Sequence, residues 1–454
     1  MSIQTLSPTY SPTYLSQLLD RVSRTKKTGA NDSVDWLQAL RDRSANWVRD
    51  AVIPTTRDEE WRFTDLSVLR QSEFDLAQPV QVPFFPELVL PEAANSRLVF
   101  VNGIYAPELS NTQDLPERGV VLSNLGKNLP DRCGSYLGQA PGAQEVFTAL
   151  NTAGLKDLAV IWVERNVVVS APIHLLFISK VGEEMTISQP RCLVVAEVGS
   201  QLSFVEEYIN LSINLSDRQV GYFTNSVTEI WLDENAQVNH TRIVKEGDEA
   251  IHIGKTAVTQ ARSSRYTHQA IAFGGKLSRH NLEIWQTGEQ TETTLNGLTV
   301  IDSHQVADTH SLIALNHPHG ISRQLHKFII GDRAHGVFNG KILVPKAAQL
   351  TDAAQLNRNL LLSPKARIDT KPQLEITADN VKCAHGATVS QLEDDEIFYL
   401  QARGINAEDA RQLLVHAFAQ EIIHQIPFPS LRNNLLSKIK QNQAKSNSRF
   451  LLNQ

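Results

Sequence analysis

One stretch constrains the fold more than any other. From about Leu98 to about Leu392 the chain reads as a succession of short strands with almost no helical periodicity. Leu98–Val101, Ala159–Val163, Val167–Val169, Arg191–Ala196 and Val227–Leu232 are apolar runs, whereas Gln201–Tyr208 and Gln237–Val244 alternate polar and apolar residues. A recurring phrase sets a small or turn-forming residue before a short alternating strand. It occurs at Gly199–Phe204, Asn235–His240, Arg262–Thr267, Ala347–Asp352, Lys365–Thr370 and Asn380–His385. The spacing is irregular, so this is no strict array. So many short strands over this length still predict a β-solenoid rather than a sandwich. A stacked coil pairs each strand with the next coil and leaves only its two ends to be capped or paired.

The flanks read differently. Between Tyr14 and Gln71 apolar residues recur at helical spacing, at Trp36, Leu37, Leu40, Ala45, Trp47 and Val48, until Pro54 breaks the run. Asp58-Glu59-Glu60-Trp61 predicts a further helix, with acids in the first turn where the dipole favours them and an apolar face through Phe63, Leu66 and Leu69. A connector with Pro79, Pro83, Pro86 and Pro91 follows. After the strands, Glu393–Arg403 predicts a helix closed by Gly404. Asn406 caps the next, over Ala407–Ile426, whose apolar face is Leu413, Leu414, Ala417, Phe418 and Ile422. Pro427 stops it, a short third helix spans Leu431–Ile439, and Lys440–Ser448 reads as a frayed tail. The expected division is a helical region over 1–78, a β-helix core over 79–392 and a helical domain over 393–454.

At 454 residues the chain exceeds one ordinary core. A net charge of −6, with no basic patch interleaved with aromatics, argues against nucleic acid as a partner. The most apolar stretch, Leu158–Ile178, is interrupted by Glu164, Arg165 and Asn166, which predicts two buried strands and no membrane span. Three cysteines form no disulfide framework, which fits a reducing, cytoplasmic setting. The Ser- and Thr-rich opening carries Arg21, Arg24, Lys26 and Lys27 but lacks the apolar core of a secretory signal. It reads as a frayed terminus followed by a helix. A transit peptide is the alternative, and would place the chain in a plastid stroma.

Cys383-Ala384-His385 sits where the strands give way to helices. Residues i and i+2 of a strand share a face, so thiol and imidazole converge. Both are metal ligands once deprotonated, and thiolate suits iron–sulfur chemistry or zinc. Cys133 and Cys192 are far away in sequence, so any metal centre here draws other ligands from elsewhere in the fold or from another chain.

Three segments carry a resemblance. They are the Cys383–His385 stretch, the run from Gln391-Leu392-Glu393-Asp394-Asp395-Glu396 through Arg403-Gly404-Ile405, and Glu59-Glu60-Trp61-Arg62-Phe63-Thr64-Asp65-Leu66. Together they resemble the SufB/SufD family of iron–sulfur assembly proteins, and the Glu-Trp-Arg-Phe-Thr-Asp signature with a single Cys-x-His looks like its SufD branch. Over Leu98–Pro345 the pattern is compatible without being specific. The resemblance implies a right-handed parallel β-helix flanked by helical regions, in a scaffold subunit without catalytic activity of its own. It implies pairing with a SufB-like paralogue through the end of the β-helix and binding of a SufC-like ATPase through the C-terminal helices. The iron–sulfur cluster would be transient and shared with the partner, with none tightly bound in the isolated chain. His385 falls at the position of the family's histidine ligand, and Cys383 lies beside it as a second candidate.

Plainer readings stand beside these. His385 can be an inert imidazole and Cys383 a small buried hydrophobe. His310, His317, His319, His326 and His335 invite a metal site, but without thiols or carboxylates at ligand spacing they read as scattered histidines. Gly254-Lys255-Thr256 is no phosphate loop, because six residues separate Gly247 from Gly254 where four are required. Two rival functions remain from the residues alone: a β-helix carbohydrate-active enzyme, which needs paired carboxylates on one face, and a metal-free β-helix binding protein that forms a homodimer.

Overall fold

In the computed structural model, residues 14–23, 35–113, 115, 119–125, 131–143, 145–211 and 220–452 are described, the last ten by backbone alone. Most of the Ser- and Thr-rich opening lies outside them. The recurring turn phrase explains the architecture. Gly199, Asn235, Ser263, Gln290, His319 and Leu350 all adopt φ between 55° and 70°. Each of their N–H groups donates to a carbonyl in the matching turn of the next coil, at 2.7–3.0 Å. The left-handed residue thus turns the chain and stitches the turn to its neighbour. Gly and Asn tolerate that conformation best, which is why the phrase is legible at Gly199 and Asn235.

The strands between these turns form two parallel sheets in eight coils. Each coil gives one strand to each sheet. Coil 1 is Ala159–Val163 and Ile173–Lys180, and coil 2 is Arg191–Ala196 and Gln201–Leu211. Coils 3 to 5 are Tyr222–Leu232 with Gln237–Lys245, Ala250–Gln260 with Arg265–Ala272, and Leu277–Gln286 with Glu292–Ile301. Coils 6 to 8 are Val306–Ala314 with Ile321–Ile330, His335–Val344 with Asp352–Leu361, and Arg367–Ile376 with Lys382–Gln391. One inward column of the first sheet runs Ile161, Val194, Ile230, Val258, Ile284, Ile313, Ile342, Leu374 in consecutive register. Aliphatic, mostly β-branched side chains stacked this way fill a pleated surface well and set the register.

The two ends differ. At the N-terminal end, Val120–Ser123 pairs antiparallel with Ala159–Val163, and Arg97–Val101 pairs with Ile104–Tyr105 in the same sense. At the C-terminal end, Arg367–Ile376 and Lys382–Gln391 are the last strands of their sheets, and their residues are largely exposed or half-buried.

Helices cover both outer faces. The N-terminal set comprises α1 (Tyr14–Ser23), α2 (Asp35–Asp50), α3 (Ser67–Arg70) and α4 (Val146–Ala153). Its apolar side, with Leu18, Val48, Trp61 and Phe147, packs on Phe223, Ile251 and Leu277 of the first sheet. The predicted helix at Asp58 is only a 3-10 turn, Glu59–Trp61. Its side chains are taken up by contacts across to the solenoid, which decide the local backbone. The α4 helix falls inside the strand-rich region, where no helix was expected; Glu145 caps it by accepting from Phe147 and Thr148 N–H.

The C-terminal set is α5 (Asp394–Gln401), α6 (Ala407–Ile423) and α7 (Pro429–Leu452). Asn406 caps α6 through Asp409 N–H, as expected, and Gly404 ends α5 with φ 87°. Two expectations are corrected. The buried face of α6 is Ala410, Val415, Ala419, Ile422 and Ile423, while Leu413 is exposed. The third helix also runs on to Leu452, since Lys440–Ser448 contains neither Gly nor Pro to stop it. The helices pack on Ile243, Ile271, Leu298 and Ile329 of the second sheet, forming a separate apolar cluster on its outer face.

Candidate functional site

Cys383 and His385 lie on the last strand of the second sheet, Lys382–Gln391. In register they sit beside Ala353 and Gln355 of coil 7, which are 1% and 2% exposed. Cys383 packs against the interior core, and the two-residue period puts His385 on that same inward face. Among the described residues no ninth coil covers them, and His385 is exposed at the mouth of the solenoid. Burial pushes the Cys383 thiol above its usual range; a hydrogen bond with the Ala353 backbone opposes this and the Asp352 charge adds to it. The thiol form is therefore favoured over the thiolate that would bind a metal.

Among the described residues, no group of three or more His, Cys, Asp and Glu side chains is arranged to hold a metal ion. Cys383 and His385 are two such side chains, short of the set a centre needs. The five scattered histidines are not brought together. His310 lies 3.0 Å from Asp308 and 3.3 Å from Glu60, His326 is buried against Phe328 and Phe338, and His335 lies 2.7 Å from Asp369. His317 and His319 belong to the turn between the two strands of coil 6. Lys255 sits in a strand with its ammonium 2.7 Å from Glu283, so the Gly-Lys-Thr triplet is structural.

The first-sheet outer face and the Glu59–Asp65 segment meet through polar contacts. Trp61 lies under the Arg279 guanidinium, 3.8 Å from its centroid, and Thr64 and Arg279 both bind Asp308. Lys371, in coil 8, reaches Glu59 at 2.6 Å. The acids that suggested a helix start are thus a clasp from the N-terminal region to coils 5, 6 and 8.

Sequence reasoning missed a polar interior. Glu206 is buried with His240 at 3.1 Å, Arg242 at 3.5 Å, Tyr208 Oη at 2.6 Å and Thr228 Oγ1 at 3.0 Å. Arg242 also lies 2.7 Å from His252. Burial opposes ionisation of Glu206, yet the His240 hydrogen bond and the Arg242 charge hold its carboxyl at about 2. The His240 and His268 rings lie 4.5 Å apart, tilted by 42°, and both ring nitrogens of His268 are buried without a partner. The available signal was register: His240 and His268 occupy the same position in successive coils.

Two family descriptions match adjoining stretches of this chain. Residues 177–418 match the SufBD core domain of the SUF iron–sulfur cluster assembly system, and residues 13–175 match the SufBD N-terminal region. The chain belongs to the SufB/SufD family. An iron–sulfur cluster assembly SufBD family protein of Synechocystis is 50% identical over 414 residues, covering 90% of this chain and 91% of the relative. The chloroplastic protein ABCI7 of Arabidopsis thaliana is 34% identical over 440 residues, covering 95% and 91%. The iron–sulfur cluster assembly protein SufD of Escherichia coli is 32% identical over 391 residues, covering 86% and 89%. The core-domain match begins within coil 1 and ends within α6, so it takes in α5 and most of α6, and α7 lies beyond it. No helix among the described residues is long and apolar enough to cross a membrane.

Proposed function

We propose that this chain is the SufD-type scaffold subunit of an iron–sulfur cluster assembly complex containing a SufB-like paralogue and a SufC-like ATPase. The carrying observation is the open end of the solenoid, where unpaired strand edges and an exposed inward-facing imidazole occur together. A partner chain adds its own terminal strands to Arg367–Ile376 and Lys382–Gln391 by edge pairing. His385 then supplies one ligand to a cluster assembled at the seam, and the partner supplies the thiolates this chain lacks. Cys383, favoured as a thiol, is an accessory. The cluster is cargo, held in passing.

The C-terminal helices carry the ATPase. Phe398, Tyr399 and Leu413 expose 70%, 56% and 47% of their surfaces on α5 and α6, apolar surface that a partner would cover. Because α6 packs on the second sheet, ATP-driven movement of the helices is transmitted to the coils that end at His385. The chain itself works in the cytoplasm or stroma as a non-catalytic subunit.

The test is cluster formation on the reconstituted complex carrying His385→Ala. Yield should fall at least about tenfold, while stability changes by no more than about 0.5 kcal/mol because the side chain is exposed. Normal yield would refute the ligand role. A large drop in melting temperature would make His385 a structural residue.

A further inference from the structure

Gln355 is the residue next to His385 across the parallel ladder. It is 2% exposed, on the inward face of coil 7. Its Nε2 donates to Gln324 Oε1 at 2.8 Å, and Gln324 Nε2 donates to Ser311 Oγ at 2.9 Å. This relay ties an N–H of Gln355 to Gln324 and leaves its carbonyl uncommitted: Oε1 is buried with no hydrogen-bond partner. The opposite wall makes room for the amide. A Cβ on Gly340, in the first sheet, would come within 2.3 Å of Gln355 Nε2. A buried carbonyl without a donor is destabilising, so this oxygen is available to any donor that comes within reach.

Same-face neighbours on adjacent strands stand about 4.8 Å apart, within reach of a hydrogen bond between an imidazole N–H and an amide carbonyl. We infer that Gln355 is a positioning residue for His385: its Oε1 accepts from one ring N–H and leaves the other ring nitrogen as a lone-pair donor at the open end. A metal-binding imidazole nearly always gives its second N–H to a carbonyl or carboxylate, which fixes the tautomer and the ring plane. Gln324 and Ser311 hold Gln355 in turn, so the orientation of the exposed ring is set from inside the solenoid. This inference rests on the proposed ligand role of His385, but its test needs neither metal nor partner.

The measurement is nitrogen-15 NMR of the full-length, metal-free chain labelled at histidine, at mildly alkaline pH, with His385 assigned by its loss in His385→Gln. The wild type should show His385 as a single tautomer. Gln355→Met keeps the volume but removes the acceptor, and should give a tautomer mixture. Gln355→Glu keeps an acceptor and should restore the single form. A mixture in the wild type, or an unchanged single tautomer in Gln355→Met, overturns the inference; the wild-type spectrum suffices if a variant does not fold. If the tautomer follows Gln355 but His385→Ala leaves cluster yield intact, the positioning stands and the ligand role falls.

Discussion

At the scale of single residues, the pairings that matter are buried and polar. Asp308 is fully buried and binds Arg279 and Thr64, with His310 at 3.0 Å. Burial opposes its ionisation, but the Arg279 charge and the contact with His310 outweigh that and hold the carboxyl at about 2. Replacing such a pair by apolar residues can be neutral, whereas removing one partner strands the other charge. Asp308→Ala should therefore cost about 3–5 kcal/mol, read by denaturant unfolding. The double variant Asp308→Ala with Arg279→Met should recover part of that loss. An Asp308→Ala protein as stable as wild type would show that Arg279 finds another partner or is not confined by the clasp.

At the scale of elements, the C-terminal helices have two faces with separate tasks. Ala419, Ile422 and Ile423 are fully buried against the second sheet. Lys327, 1% exposed at its side chain, reaches from that sheet to the Phe418 carbonyl at 2.8 Å and to Glu421. Deleting the helices would uncover the apolar patch of Ile271, Leu298 and Ile329, so truncation confounds loss of binding with loss of solubility. Substitution on the outer face avoids this. Phe398→Glu with Leu413→Lys should change stability by less than about 0.5 kcal/mol per site. It should weaken binding of the SufC-like ATPase by at least about tenfold, the usual minimum for removing a central apolar anchor. Calorimetric titration giving an unchanged Kd would move the ATPase contact elsewhere.

At the scale of the whole molecule, the interior sets the pH response. Burial lowers the pKa of His240 and His252, takes His268 and His280 well below the usual 6.5, and brings His326 to about 3. These rings are depressed in the folded state, so the unfolded chain binds more protons once pH falls below about 6.5. Their contribution is fully present above that pH and is lost progressively below it. Glu206, Glu207 and Asp308, all held at about 2 despite burial, act in the same direction from about pH 4.5 down to 2. Each ring that stays neutral should cost on the order of 2–3 kcal/mol by pH 4.5. Melting temperature should therefore fall steadily from pH 6.5 to 4.5 and be nearly flat from 7 to 8. A flat profile down to pH 5 would show that the interior histidines accept protons in the folded state.

The sequence by itself determined the solenoid, both helical flanks and the strand that carries Cys383 and His385. These depend on short-range periodicity and on turn residues such as Gly199 and Asn235, whose backbone preference is local. The caps at Asn406 and Gly404 were legible for the same reason. What only the tertiary structure decided depends on which coil lies beside which. The Glu59–Trp61 turn, the inward face of α6, the histidines lining the interior and the amide behind His385 are all contacts between positions a coil or more apart. No local pattern marks Gln355. Its place beside His385 follows from a parallel register set by the turns and the aliphatic columns, and its uncommitted carbonyl from an amide relay that exists only once coils 6 and 7 are stacked.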